Sequence, residues 1–71
     1  MKNLLKRISI NPDICFGRAF LKGTRIQVSL ILDFLADDKS PEEITKEYPQ
    51  LKIDDIRAAL SYASQIIQQR Q

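Results

Sequence analysis

Ser40-Pro41-Glu42-Glu43-Ile44-Thr45-Lys46-Glu47-Tyr48-Pro49-Gln50-Leu51-Lys52-Ile53-Asp54-Asp55-Ile56-Arg57-Ala58-Ala59-Leu60 holds a helix start, a helix stop and the beginning of a second, longer helix. Ser40 and Glu43 stand at capping-box spacing, so each side chain can bond the other residue's backbone N–H, and Pro41 falls at N1, where no helical N–H is needed. A helix over 41–48 follows, with Ile44 and Tyr48 facing inward and Pro49 ending it. Beyond the short Pro49-Gln50-Leu51 connection, Ile53, Ile56, Leu60, Ala63 and Ile67 recur every three or four residues, widened by Ala59 and Ile66. That period predicts a helix over 53–68 with those residues as its buried stripe. Asp54 and Asp55 suit the positive end of its dipole.

Working outward, Leu30, Ile31, Phe34 and Leu35 carry the same period, which predicts a first helix over 29–38 with Ser29 as N-cap. Residues 7–28 read differently. Arg7-Ile8-Ser9-Ile10 alternates polar and apolar and stops at the turn signal Asn11-Pro12-Asp13, as a short strand would. Ala19-Phe20-Leu21 and Arg25-Ile26-Gln27-Val28 flank Lys22-Gly23-Thr24, either as a hairpin or as two extended arms. Strands this short need helices or a second copy to pack against. The fold class expected is therefore mainly α: a small three-helix, helix-turn-helix-like domain of homeodomain-like or winged-helix-like order with short N-terminal strands, covering 1–71 as one domain.

At 71 residues, 44% hydrophobic and 28% charged, the chain is ordinary globular protein. A domain of this size buries only about 60% of the surface its unfolded chain exposes, which makes the core marginal and favours a homodimer. No stretch has the apolar length of a signal peptide or membrane span, so a cytoplasmic location is expected. Cys15 stands alone and reads as a half-buried apolar filler, and without His no metal or cofactor site is expected. Residues 1–28 contain six basic residues against one acidic, and residues 29–71 five against eight. The basic third is the natural seat for phosphate or an acidic partner. The acidic pairs Asp37/Asp38, Glu42/Glu43 and Asp54/Asp55 are neighbours at helix ends, where capping explains them, so no enzyme is expected.

Gly17-Arg18-Ala19-Phe20-Leu21-Lys22-Gly23-Thr24-Arg25-Ile26, then Ser40-Pro41-Glu42-Glu43-Ile44, then the helix ending Ala58-Ala59-Leu60 occur in the order and spacing of the DUF433 family, which the chain resembles over about residues 7–63. It departs from the family pattern at Ala19 and Gln27, where proline is usual, and at Lys52, where Thr or Ser caps the last helix. The resemblance implies a helix-turn-helix-like bacterial protein acting as the antitoxin of a type II toxin–antitoxin module, its partner a PIN-like or Mut7-C-like nuclease toxin. The alternative is a protein-interaction or dimerisation module with no nucleic-acid role.

A helix-turn-helix would place the start of the third helix in the major groove. The recognition face expected is Lys52, Asp54, Asp55, Arg57, Ala58 and Ser61, with Lys52, Arg57 and Ser61 as contacts to operator DNA and Lys2, Lys6 and Arg7 as a basic arm. The two carboxylates have the wrong sign for phosphate. Gly23, Thr24 and Arg25 form a turn that is either structural or partner-binding. Arg25 has Asp13, Asp33 and Asp37 as internal candidates for a bidentate pair, or an acidic patch on another protein.

Overall fold

The computed structural model describes residues 3–69. Three helices dominate, α1 (Val28–Ala36), α2 (Pro41–Glu47) and α3 (Ile53–Gln69), accompanied by a two-stranded sheet of β1 (Ile8–Ser9) and β2 (Phe20–Leu21). Among these residues no helix is long and apolar enough to cross a membrane.

The sheet is antiparallel, pairing Ile8 with Leu21 and Ser9 with Phe20. The N-terminal strand is thus satisfied within one chain. A 3-10 turn over Leu4–Arg7 precedes it and packs against α3. Leu21 also closes a hairpin with Ile26 (Leu21 N–H to Ile26 C=O, 2.9 Å), and Phe20 bridges Gln27. Residues 20–27 therefore form a hairpin, not two open arms.

Helix α1 begins one residue earlier than its sequence pattern suggests. Gln27, extended at φ −74°, ψ 147°, is the N-cap, and its carbonyl accepts from the N–H groups of Leu30 and Ile31. Ser29 does not cap; it lies inside the first turn, its hydroxyl 3.3 Å from Gln27 Oε1. Val28 wins the first helical position because its side chain is buried while its N–H is held by the Ala19 carbonyl. The φ of Gln27 lies in the range that proline fixes. At the other end, Asp38 N–H bonds Leu35 C=O and Lys39 N–H bonds Phe34 C=O, the two bonds of a Schellman motif. Asp38 takes the left-handed position usually given to glycine, at φ 67°. Lys39 lies over the Phe34 ring and pairs with Glu47, which holds its ammonium pKa above the ordinary value. Phe34 stacks on Tyr48, 5.6 Å between centroids, so this corner joins α1 to α2.

The capping box of α2 forms as its sequence requires: Glu43 N–H donates to Ser40 Oγ and Ser40 N–H to Glu43 Oε1, both 3.1 Å. Leu21, Ile31, Ile44 and Ile56 are the largest fully buried side chains, one each from β2, α1, α2 and α3. Burial of each is worth about 1.5–3 kcal/mol. Tyr48 is only half-buried, and Leu30 is exposed on the outer side of α1.

Candidate functional site

The start of α3 is organised by Asp55. Its Oδ2 accepts from the Lys52 backbone N–H at 2.8 Å and its Oδ1 from Arg7 Nη1 at 3.1 Å, and the residue is 7% exposed. The first bond is the returning half of a capping box. The outgoing half is missing because lysine at the N-cap has no side-chain acceptor for the Asp55 N–H. Arg7 also reaches Asp54 (3.7 Å), which in turn contacts Arg57 (3.6 Å). Two carboxylates and two guanidinium groups thus form one cluster that ties the N-terminal turn to α3.

This arrangement corrects part of the expected recognition face. Asp55 and Ala58 are buried, and Arg7 is held by α3 instead of forming a free arm. Lys52 and Arg57 remain exposed, Ser61 is half-buried, and Lys6 is exposed on the N-terminal turn. Lys2 lies outside the described residues. The wrong-signed carboxylates are internally neutralised, but so is Arg7, and the cationic surplus at the start of α3 is small.

The helix phase differs too. Of the expected buried stripe, Ile56 and Ala59 are buried and Ala63 and Ile66 half-buried, but Ile53, Leu60 and Ile67 are 43%, 48% and 57% exposed, and Asp55 and Ala58, outside that stripe, face the core. Ala58 and Ala59 are small enough to allow close approach of the neighbouring segments, and Arg7 draws Asp55 inward. The result rotates the buried face away from the most apolar edge. Ile53, Leu60 and Ile67, seven residues apart, therefore make an outward ridge with Arg57 beside it.

In the Gly23-Thr24-Arg25 turn, Thr24 N–H bonds Leu21 C=O at 3.0 Å and Gly23 sits at φ 83°, the third position of a type II turn. Thr24 Oγ1 donates to Leu21 C=O (2.7 Å) and accepts from Ile26 N–H (3.0 Å), bracing the hairpin from within. Arg25 is exposed. Among the described residues it makes no ion pair with Asp13, Asp33 or Asp37, although it lines a shallow polar groove with Asp33. Its carbonyl accepts a hydrogen bond from the Cys15 thiol at 3.3 Å, so Cys15 fastens two loops together besides filling space.

Sequence reasoning missed Phe16. Cys15, Phe16 and Gly17 are all left-handed, at φ 54°, 57° and 75°, and Phe16 is 93% exposed. For two non-glycine residues this conformation costs roughly 1–2 kcal/mol each. Beside it an open, mainly apolar groove of about 660 Å³ runs between α1 and α3. Ala19, Val28 and Leu32 line one side, Tyr62, Ala63, Ile66 and Ile67 the other, and Ile10, Gly17 and Arg18 its end. A phenylalanine outside any periodic pattern, followed by glycine in a turn, was the available signal.

The profile of the family described as protein of unknown function (DUF433) matches residues 8–63. The chain is also similar to a crystal structure of a DUF433 member protein from Anabaena variabilis, with 32% identity and a TM-score of 0.82 over 89% of this chain. It spans 62% of that protein's length. No curated protein matches it.

Proposed function

The chain belongs to the DUF433 family, and on that premise we propose that it is the antitoxin of a type II toxin–antitoxin module: a cytoplasmic, non-catalytic homodimer that binds a PIN-like or Mut7-C-like nuclease toxin. The observation that supports this reading is the outward ridge of α3, where Ile53 and Leu60 stand about half exposed with Arg57 alongside. An apolar line with a cationic edge gains most from a protein surface that is apolar at its centre and acidic at its rim. DNA groove edges offer such a ridge little.

Co-expression with the product of the neighbouring gene tests it. A stable complex is expected, and Leu60→Glu, a change on an exposed position, should release the toxin without unfolding the antitoxin. A neighbouring product that stays unbound and harmless to cells would sink the toxin reading.

Operator DNA is the second reading, favoured by the order of short α2, tight turn and long α3 with Lys52 and Arg57 exposed at its start. A dimer would set two such helices about 34 Å apart on successive major grooves. Fluorescence anisotropy against upstream and scrambled DNA at two salt concentrations decides it. Native-sequence preference that weakens with salt and with Arg57→Ala supports repression. Equal or absent binding leaves a protein-interaction module without a nucleic-acid role.

A further inference from the structure

We propose that Asp54 is an internal counter-ion for the arginines at the start of α3, standing where a nucleic-acid phosphate would stand and so holding down the affinity of this face for DNA. The proposal rests on the operator-DNA reading above and names what regulates that surface.

The geometry gives the two neighbouring carboxylates different tasks. Asp55 is buried and committed to the fold: one oxygen takes the Lys52 N–H and the other takes Arg7 Nη1, both at hydrogen-bond distance. Asp54 keeps 20% of its side chain exposed and divides its oxygens between two cations. Its Oδ2 faces Arg7 Nη2 at 3.7 Å and its Oδ1 faces Arg57 Nη1 at 3.6 Å. Both separations exceed the ~2.7–3.2 Å of an N–H···O bond. Asp54 therefore attracts each arginine through space without the bidentate fork that would fix either one. Arg7 and Arg57 keep 38% and 60% of their side chains exposed, so an anion from solvent can reach both.

A backbone phosphate offers what Asp54 offers, two oxygens sharing one negative charge, and guanidinium groups are suited to bind it. With Asp54 in place, an approaching phosphate meets a like charge between the two cations it would use. Lys52, Arg7 and Arg57 against Asp54 and Asp55 leave one net positive charge at this helix start. Neutralising Asp54 doubles that surplus and leaves the cap made by Asp55 intact. The helix dipole favours an acidic residue here, but Asp55 already answers it, and the dipole does not call for two arginines on one carboxylate.

Fluorescence anisotropy of the full chain on labelled upstream and scrambled duplexes, between about 50 and 200 mM salt, reads the effect. Asp54→Asn, close in shape and uncharged, should tighten binding to both duplexes roughly 3- to 10-fold at low salt, the weight of one like charge removed from beside a phosphate. The slope of log Kd against log salt should steepen by about one. Asp13→Asn, the same change of charge outside the cluster, should give a clearly smaller gain. In an Arg57→Ala background the gain from Asp54→Asn should shrink, because one of the two released cations is gone. Asp54→Ser, a second uncharged variant, should reproduce the gain, with circular dichroism melts checking that each variant is folded. Binding seen only in the uncharged variants is the strongest form of the expected result. A gain no larger than that of Asp13→Asn, or one undiminished by Arg57→Ala, overturns the counter-ion role and leaves the operator reading standing. Failure of wild type and of both uncharged variants to bind either duplex at low salt overturns the operator reading and this proposal with it.

Discussion

Replacing Asp55 with alanine removes two bonds at once, and the structure sets the size of the loss. The bond from Lys52 N–H to Asp55 Oδ2 at 2.8 Å is a helix-start cap, worth about 1 kcal/mol. The pair with Arg7 joins a carboxylate whose side chain is 10% exposed to a guanidinium that is 38% exposed. It falls between a surface bridge of ~0–1 kcal/mol and a buried one of ~3–5, and solvent access to Arg7 puts it near 1–2. Asp55→Ala should therefore cost about 2–3 kcal/mol. In a domain this small that lowers Tm by roughly 10–20 °C, at 4–8 °C per kcal/mol. Arg7→Met, which keeps the aliphatic stem on α3, should cost about 1–2 kcal/mol through the same contact. Urea unfolding followed by circular dichroism gives all four corners of the cycle. A coupling energy of about 1 kcal/mol or more between positions 7 and 55, with unchanged m values, is expected. Strict additivity would refute the claim that the clasp carries the N-terminal turn onto α3, and the Arg7 contact would then be a surface pairing without weight.

Thr24→Val keeps shape but leaves Ile26 N–H without its 3.0 Å acceptor, so a loss of ~1–3 kcal/mol in denaturant unfolding is expected, while Arg25→Ala should lie within about 0.5 kcal/mol of wild type. An unaffected Thr24→Val would return the turn to the partner-binding reading. Asp38→Gly relieves a left-handed aspartate at φ 67° in the Schellman position and should raise stability by up to about 1 kcal/mol, read as a higher Tm; a fall in Tm would show that Asp38 is held there by more than geometry. The Ser40 backbone N–H, and then its hydroxyl, hold the Glu43 carboxyl below its ordinary value near 4.5. Since folding lowers that pKa, the capping contribution is complete above the ordinary value and disappears as pH falls through the lowered one. The stability gap between wild type and Glu43→Ala should close in acid, and a gap constant down to the lowest pH would contradict the charge-assisted cap.

What the sequence determined by itself were the features that act over three or four residues. Ser40, Pro41 and Glu43 place the start of α2, Pro49 its end, and the 3.6-residue period finds all three helices within a residue or two, because caps and helical faces are local chemistry. The order of the family's motifs was equally legible. Lys52 was recognisable as a poor cap, but the half-box that Asp55 supplies in its place was not, since Asp55 also needs Arg7, 48 residues away in the chain.

The tertiary structure alone decided which edge of α3 faces inward. Its apolar positions span more than half the helix circumference, so periodicity admits several phases. The choice fell to small Ala58 and Ala59 under the neighbouring segments and to Arg7 drawing Asp55 in. That rotation turns Ile53, Leu60 and Ile67 outward, and left-handed backbone at Cys15, Phe16 and Gly17 holds Phe16 in solvent beside the groove. Exposure of a side chain depends on what the rest of the chain packs against, and packing between segments far apart in sequence leaves no local pattern to read.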